Sequence, residues 1–191
     1  MLAQTLIFLI TTLGDLLVIA FLLRFILQWL RAPARNQLSL FVAALTDFAV
    51  RPMRRVLPGL WGMDLSSLFL AWVTAALEMS LVLVLKGNAL GAAPGTAIIV
   101  VALLGILSLI RLSLYIVMMA VVLQAILSWV NPDSPIAPLL NTVTRPVLRP
   151  FRRLVPPIAN VDLSPLFLLI TCQLILSVPL MWLEANVARL L

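Results

Sequence analysis

The stretch RPMRRVLPGLWGMDLSSLFL, residues 51–70, returns as RPFRRLVPPIANVDLSPLFL at residues 149–168. From Arg51 to Arg149 is a shift of 98 residues, and at that shift the two align without a gap. Eleven of the twenty positions are identical, among them Arg51, Pro52, Arg54, Arg55, Pro58, Asp64, Leu65 and Ser66, matched by Arg149, Pro150, Arg152, Arg153, Pro156, Asp162, Leu163 and Ser164. Chance does not produce such a run. Upstream the shift becomes 100, pairing LQWLRAP from Leu27 with LSWVNPD from Leu127, so the first copy carries two extra residues in its connection. Each copy reads as helix, arginine-rich connection, helix.

The surrounding composition says what those helices are. Of 191 residues, 63% are hydrophobic and 10% charged, and the mean hydropathy is +1.18; soluble domains hold roughly 45–50% apolar and about 25% charged residues. The chain is read as an integral membrane protein. Its first apolar run follows MLAQT, with no basic n-region and no A-x-A site, and is expected to stay as a span rather than be removed as a signal peptide. There is no histidine and one cysteine, Cys172, so no disulfide and no metal or haem site made from His and Cys is expected within one chain. No cofactor is expected. Cys172 reads as a small buried or lipid-facing hydrophobe. The formal charge of +6 points to anionic lipid headgroups as partner rather than to nucleic acid, because the arginines lie between spans.

A helix needs about 20 apolar residues to cross the bilayer core, and four segments meet that need: about 6–30, 65–85, 107–130 and 163–183. The expected fold is all-α, with four transmembrane helices arranged as two parallel tandem hairpins. The first repeat occupies residues 1–86 and the second 107–191, with 87–106 as an external linker or interfacial segment. Apolar sequence runs from Thr96 to Val130, and a break near Gly105 is expected to lay residues 96–105 along the interface. A single straight helix is the rival. In each connection, LSLFVAALTDFAV from Leu38 and IAPLLNTVTRPVL from Ile136 are apolar but too short to span, which reads as an interfacial helix.

Orientation follows from the basic residues. Arg31, Arg35, Arg51, Arg54, Arg55, Arg145, Arg149, Arg152 and Arg153 lie in the two long connections, against Lys86 and Arg189 on the opposite side. The positive-inside rule then places both connections in the cytoplasm and both termini outside. Because each repeat holds an even number of spans, the second enters the membrane with the orientation of the first, unlike an inverted transporter repeat.

Within the cluster, proline fixes its own backbone and biases the preceding residue away from helix, so Arg51 and Leu57 are expected to be extended or turned. Arg51, Arg54, Arg55, Arg149, Arg152 and Arg153 are the candidate lipid- or partner-binding residues, since guanidinium groups take phosphate in a bidentate fork. Asp64 and Asp162 precede the returning helices and read as N-caps or as ion-pair partners of the arginines. Four charges fall inside spans. Arg24 is near enough to one end to snorkel. Asp15 and Glu78 lie about 21 Å and Arg111 about 27 Å above the connection side, counting about 1.5 Å per residue. Three readings of Asp15, Glu78 and Arg111 stand: a structural polar cluster, independent snorkelling, or a proton or cation site. None of the three is duplicated at the matching position of the other repeat.

The duplicated RPVLRPFRRLVPPIANVDLSPLFLL pattern resembles the YggT family of bacterial membrane proteins over almost the whole chain, in both copies. The first copy departs from it with Gly59 for a second proline and Ser67 where the other has Pro165. The resemblance implies a bacterial inner-membrane protein connected with osmotic stress and with cell-division genes, plastid relatives being linked to cytochrome b6 maturation and nucleoid distribution. It brings no catalytic residues. A non-enzymatic organiser of membrane, lipid or division proteins is expected, with a small channel or transporter as the rival.

Overall fold

The computed structural model describes residues 1–31, 36–59, 62–87, 94–131, 133–154 and 162–190. Arg35, Pro156, Pro157 and residues 88–93 of the expected linker lie outside them. The described residues form helices α1 (Leu2–Trp29), α2 (Gln37–Met53), α3 (Leu65–Leu85), α4 (Pro94–Val130), α5 (Ala137–Leu154), α6 (Ser164–Ile175) and α7 (Met181–Ala188). A π-helical turn, Leu176–Leu180, joins α6 to α7 around Pro179. Proline lacks the N–H that the i−4 carbonyl would take, and a wide turn absorbs the mismatch without ending the rod. Four rods are long and apolar enough to cross a membrane: Leu2–Trp29, Leu65–Leu85, Gly95–Ser128 and Ser164–Ala188. The tandem-hairpin fold read from the repeat is the observed one.

Helices α1 and α3 pack along each other as the first hairpin, and α4 with α6 as the second. Helix α4 also packs against both α3 and α1, so it joins the repeats. One cluster at the junction holds Val18, Phe21 and Leu22 of α1 against Ala71 and Ala75 of α3 and Leu112 and Ile116 of α4. A second seats α5, through Leu139, Leu140 and Val143, on Leu27 and Ala120. Cys172 is 3% exposed in a third, with Val121, Leu148 and Leu168.

The expected break near Gly105 does not occur: α4 is one helix of 37 residues. Gly105 serves packing instead. A Cβ placed on it would lie 3.3 Å from both the Cβ and the backbone nitrogen of Ala76, so glycine is what lets α3 and α4 approach. Small residues take this part in membrane helix pairs generally. Trp72 fastens the same crossing, its Nε1 donating to the carbonyl of Ala102 at 3.1 Å. Helix α3 ends conventionally, with Gly87 at φ +83° just past its C-cap.

Both interfacial segments are helical, and they differ in what they turn outward. Helix α2 buries Val42, Thr46 and Val50 at fourfold spacing, while Leu40, Phe41, Leu45 and Phe48 stand exposed, an apolar outer face that suits the acyl boundary. Helix α5 buries Leu139, Leu140, Val143, Thr144 and Leu148 and exposes Asn141, Arg145 and Arg149.

Candidate functional site

Each elbow is built where an interfacial helix ends and a spanning helix begins. The expectation that proline would hold Arg51 extended is not met. Arg51 lies in the last turn of α2 with Pro52 still helical, and α5 carries Pro146 and Pro150 in its interior. In the last turn a missing N–H costs one bond rather than a ladder, and the basic side chains face the negative end of the helix dipole. Leu57, before Pro58, is outside the helix. Arg51 is thus presented from the last turn of α2 and Arg152 and Arg153 from that of α5, with Arg145 and Arg149 farther inside α5.

In the first elbow they meet carboxylates. Asp64 is fully buried and acts in both of its expected roles. It caps α3, accepting from the Ser67 N–H at 3.4 Å and its hydroxyl at 2.8 Å, and it pairs with Arg54 at 2.5 Å. Arg54 also donates to Gln28 at 3.1 Å, tying the elbow to the end of α1. Arg24 does not snorkel. Its Nη1 donates to Thr46 Oγ1 at 2.7 Å and to Asp47 Oδ1 at 2.8 Å, and its Nε lies 3.5 Å from Asp64. Asp47 in turn takes Arg51 at 2.6 Å. Burial works to raise the pKa of Asp64, but hydrogen bonds from Arg54 and Ser67 and the Arg54 charge together hold it below the usual carboxylate range. Asp47 is held low chiefly by its hydrogen bond from Arg24. Two carboxylates and three arginines close into one network.

Sequence reasoning missed Asp47, although a signal was present: at the repeat shift of 98, Asp47 falls opposite Arg145 and Thr46 opposite Thr144, and at the upstream shift of 100 Arg24 falls opposite Gln124. In the second elbow uncharged side chains accordingly take the place of the Arg24–Asp47 ion pair. The Thr144 hydroxyl donates to Gln124 Oε1, and Gln124 Nε2 donates to Asn141 at 3.4 Å. Arg152 pairs with Asp162 at 2.9 Å. Asp162 also accepts from the Ser164 N–H at 2.9 Å, one position ahead of where a cap sits, since the N-cap of α6 is Leu163. Burial pushes Asp162 up, and the bond from the Ser164 N–H together with Arg152 more than offsets it, leaving its pKa lowered. Among the described residues Arg145, Arg149 and Arg153 have no ion-pair partner.

Deep in the bundle the structure brings Asp15 and Glu78 within range of each other's charge and of Arg111. The direct partner of Arg111 is a residue not expected there: Glu184, at 3.1 Å. The continuation of the last rod past the π turn carries Glu184 into reach, and an expected span ending at 183 leaves it out. Glu78 is 4% exposed. Its Oε2 and Asp15 Oδ1 are buried without a hydrogen-bond partner among the described residues. Gly14 makes room for Glu78, since a Cβ there would lie 2.4 Å from Oε2.

Two hairpins repeated in parallel, each carrying an arginine elbow on the same side, define a multi-pass helical membrane protein of duplicated origin. The CCB3/YggT family model matches residues 3–85 and again residues 103–183, and the chain belongs to that family. It is 39% identical over 171 residues to an uncharacterised protein of Pseudomonas aeruginosa, covering 88% of this chain and 85% of that one. It is 35% identical over 167 residues to an uncharacterised protein of the proC 3' region in Vibrio alginolyticus, covering 87% and 88%. YggT of Escherichia coli K12 is 30% identical over 173 residues, covering 90% and 87%. No solved structure matches.

Proposed function

We propose that the protein is a non-enzymatic organiser of the bacterial inner membrane, with its elbows on the cytoplasmic face and both termini outside. It would hold anionic lipid headgroups, and through the same arginines the acidic surface of an envelope or cell-division protein, in a role connected with osmotic stress. The observation that supports this is the pairing, twice over, of an interfacial helix with exposed arginines in or just beyond its C-terminal half: Arg51 and Arg55 in one copy, Arg149 and Arg153 in the other. Each basic residue near an anionic leaflet contributes about 1 kcal/mol. The test is photocrosslinking in the membrane from positions 55 and 153, with captured lipids and proteins identified. Capture of neither above that seen from a probe at Lys86 would end this reading, and reporter fusions at residues 50 and 92 with the reverse sidedness would end the orientation.

A second reading has its own support in the buried, unpartnered oxygens of Asp15 and Glu78. Charged groups inside spans commonly mark an ion or proton path, and a small channel or transporter would use these. Proteoliposome flux that rises with protein content and is abolished by Glu78→Gln would favour it over the organiser.

A further inference from the structure

The two elbows carry the same arginine motif but opposite chemistry around it. In the first, a cavity of about 460 Å³ is lined by Arg24, Arg31 and Arg54, of which Arg24 and Arg54 are already held by Asp47 and Asp64. In the second, a cavity of about 870 Å³ is lined by Arg145, Arg149, Arg152 and Arg153. Only Arg152 among these four has an ion-pair partner. Residues 155–161, which follow α5, add no carboxylate, since they read VPPIANV. Four guanidinium groups converge there against one aspartate, a surplus of positive charge that no other carboxylate among the described residues pairs with.

What lies beside that cavity decides the ligand. An apolar groove of about 690 Å³ runs between α1, α4 and α5, lined by Phe25, Ile26, Leu114, Val117 and Val147 among others. Leu30 and Pro146 wall both the groove and the arginine cavity. A cationic chamber opening at one wall onto an apolar slot has the polarity of an amphiphile with an anionic head. Arginine suits the phosphate, because its planar fork takes two oxygens at once. The slot suits an acyl chain.

We infer that the second elbow is a specific site for one anionic phospholipid, its phosphate among Arg145, Arg149 and Arg153 and an acyl chain in the groove behind Leu30 and Pro146, while in the first elbow Asp47 and Asp64 already engage Arg24, Arg51 and Arg54. This rests on the organiser reading, and it assigns the lipid to one copy of the repeat. A soluble phosphate would use the arginines and ignore the groove.

The test uses the full chain in micelles containing phosphatidylglycerol and phosphatidylcholine, with bound lipid counted by native mass spectrometry. One phosphatidylglycerol per chain is expected to be retained. R145Q/R149Q is expected to lower retention about thirtyfold, two arginines' worth of surface attraction, and R51Q/R55Q, which weakens only the looser headgroup attraction at the first elbow, to lower it no more than about threefold. All four positions are exposed; R51Q gives up the pair with Asp47, which keeps Arg24, and a single cooperative thermal transition in each variant verifies folding. S113F, which fills the groove from Ser113, is expected to weaken retention, and excess inorganic phosphate to leave the lipid in place. Equal loss from both double variants would overturn the asymmetry while sparing the broader reading. No preference for phosphatidylglycerol in the unaltered protein would end both. Displacement by phosphate, or indifference to S113F in a folded protein, would overturn the lipid assignment in favour of a soluble anion.

Discussion

Replacing Arg24 by glutamine puts into the first repeat what the second has at the matching position, Gln124. The side chain of Arg24 is 12% exposed, and it serves Asp47, 24% exposed, and Asp64, fully buried. Removing one partner of a buried ion pair costs about 3–5 kcal/mol, because a charge is left behind in low dielectric. Here each aspartate keeps a second arginine, Arg51 at 2.6 Å and Arg54 at 2.5 Å. The expected loss for R24Q is therefore about 2–3 kcal/mol, the worth of charge-assisted bonds to Thr46 and Asp47. D47R alone sets a third guanidinium group beside Arg24 and Arg51 and is expected to cost about 3 kcal/mol or more. The pair R24Q/D47R rebuilds the arrangement of Gln124, Thr144 and Arg145, and its cost is expected to fall to about 1 kcal/mol. The coupling between the two changes is then at least about 4 kcal/mol. It is measured by SDS unfolding in mixed micelles, followed by fluorescence of the five tryptophans. A double variant whose loss equals the sum of the single losses within about 0.5 kcal/mol would refute the position-for-position equivalence of the elbows.

Acid provides a further check. Asp47 and Asp64 have folded pKa values below the unfolded value, which is about 3.9, so their stabilisation is complete above about pH 4 and is lost as pH falls through the folded values. The unfolding midpoint is expected to be flat in this contribution from pH 7 to 5 and to drop below about pH 4, with a smaller drop in R24Q. G105L drives a branched side chain into the crossing with Ala76 and is expected to cost about 1–3 kcal/mol; a thermal midpoint equal to that of the native protein would contradict the close approach. E78Q keeps the shape of Glu78 and removes a carboxylate whose Oε2 has no partner, so unfolding free energy is expected to hold or rise by up to about 1 kcal/mol. A loss of 2 kcal/mol or more on the same assay would show that the charge is used in the fold.

The hairpins, their number and their parallel relation were legible because both rest on length and repetition, which a single chain displays in full. Gly105 was misread for a physical reason: glycine weakens a helix in water, whereas in a bundle its missing side chain is what a neighbour such as Ala76 packs against. Arg24 was misread because depth alone suggests snorkelling, and the partners that intercept it come from α2, 22 and 23 residues along the chain. Asp64 was left between two roles that a buried carboxylate with two oxygens can fill together. The asymmetry of the elbows was present in the alignment, at the positions where the repeats differ; attention to identities passed over Asp47 against Arg145.

That asymmetry has a thermodynamic consequence. Arg145, Arg149 and Arg153 crowd one cavity with no aspartate of their own, so in neutral detergent the second elbow carries repulsion that an anion relieves. A ligand that binds only the folded state stabilises it by RT ln(1 + [L]/Kd), about 2.7 kcal/mol at a hundred times Kd. Titrating phosphatidylglycerol into the folded chain is expected to raise its thermal midpoint progressively, and phosphatidylcholine to leave it in place. In R145Q/R149Q the rise is expected to vanish, and the lipid-free midpoint to equal or exceed that of the native chain, because repulsion has gone with the charges. Maleimide labelling of Cys172 gives a local readout, since this buried thiol packs on Leu148 of α5 and lines the apolar groove, where a bound acyl chain would cover it. Slower labelling with anionic lipid in the native chain, absent in R145Q/R149Q but retained in R51Q/R55Q, is the expected pattern. Protection that survives R145Q/R149Q would refute the account, because stabilisation would then come from the bilayer at large and not from the elbow that lacks its own countercharge.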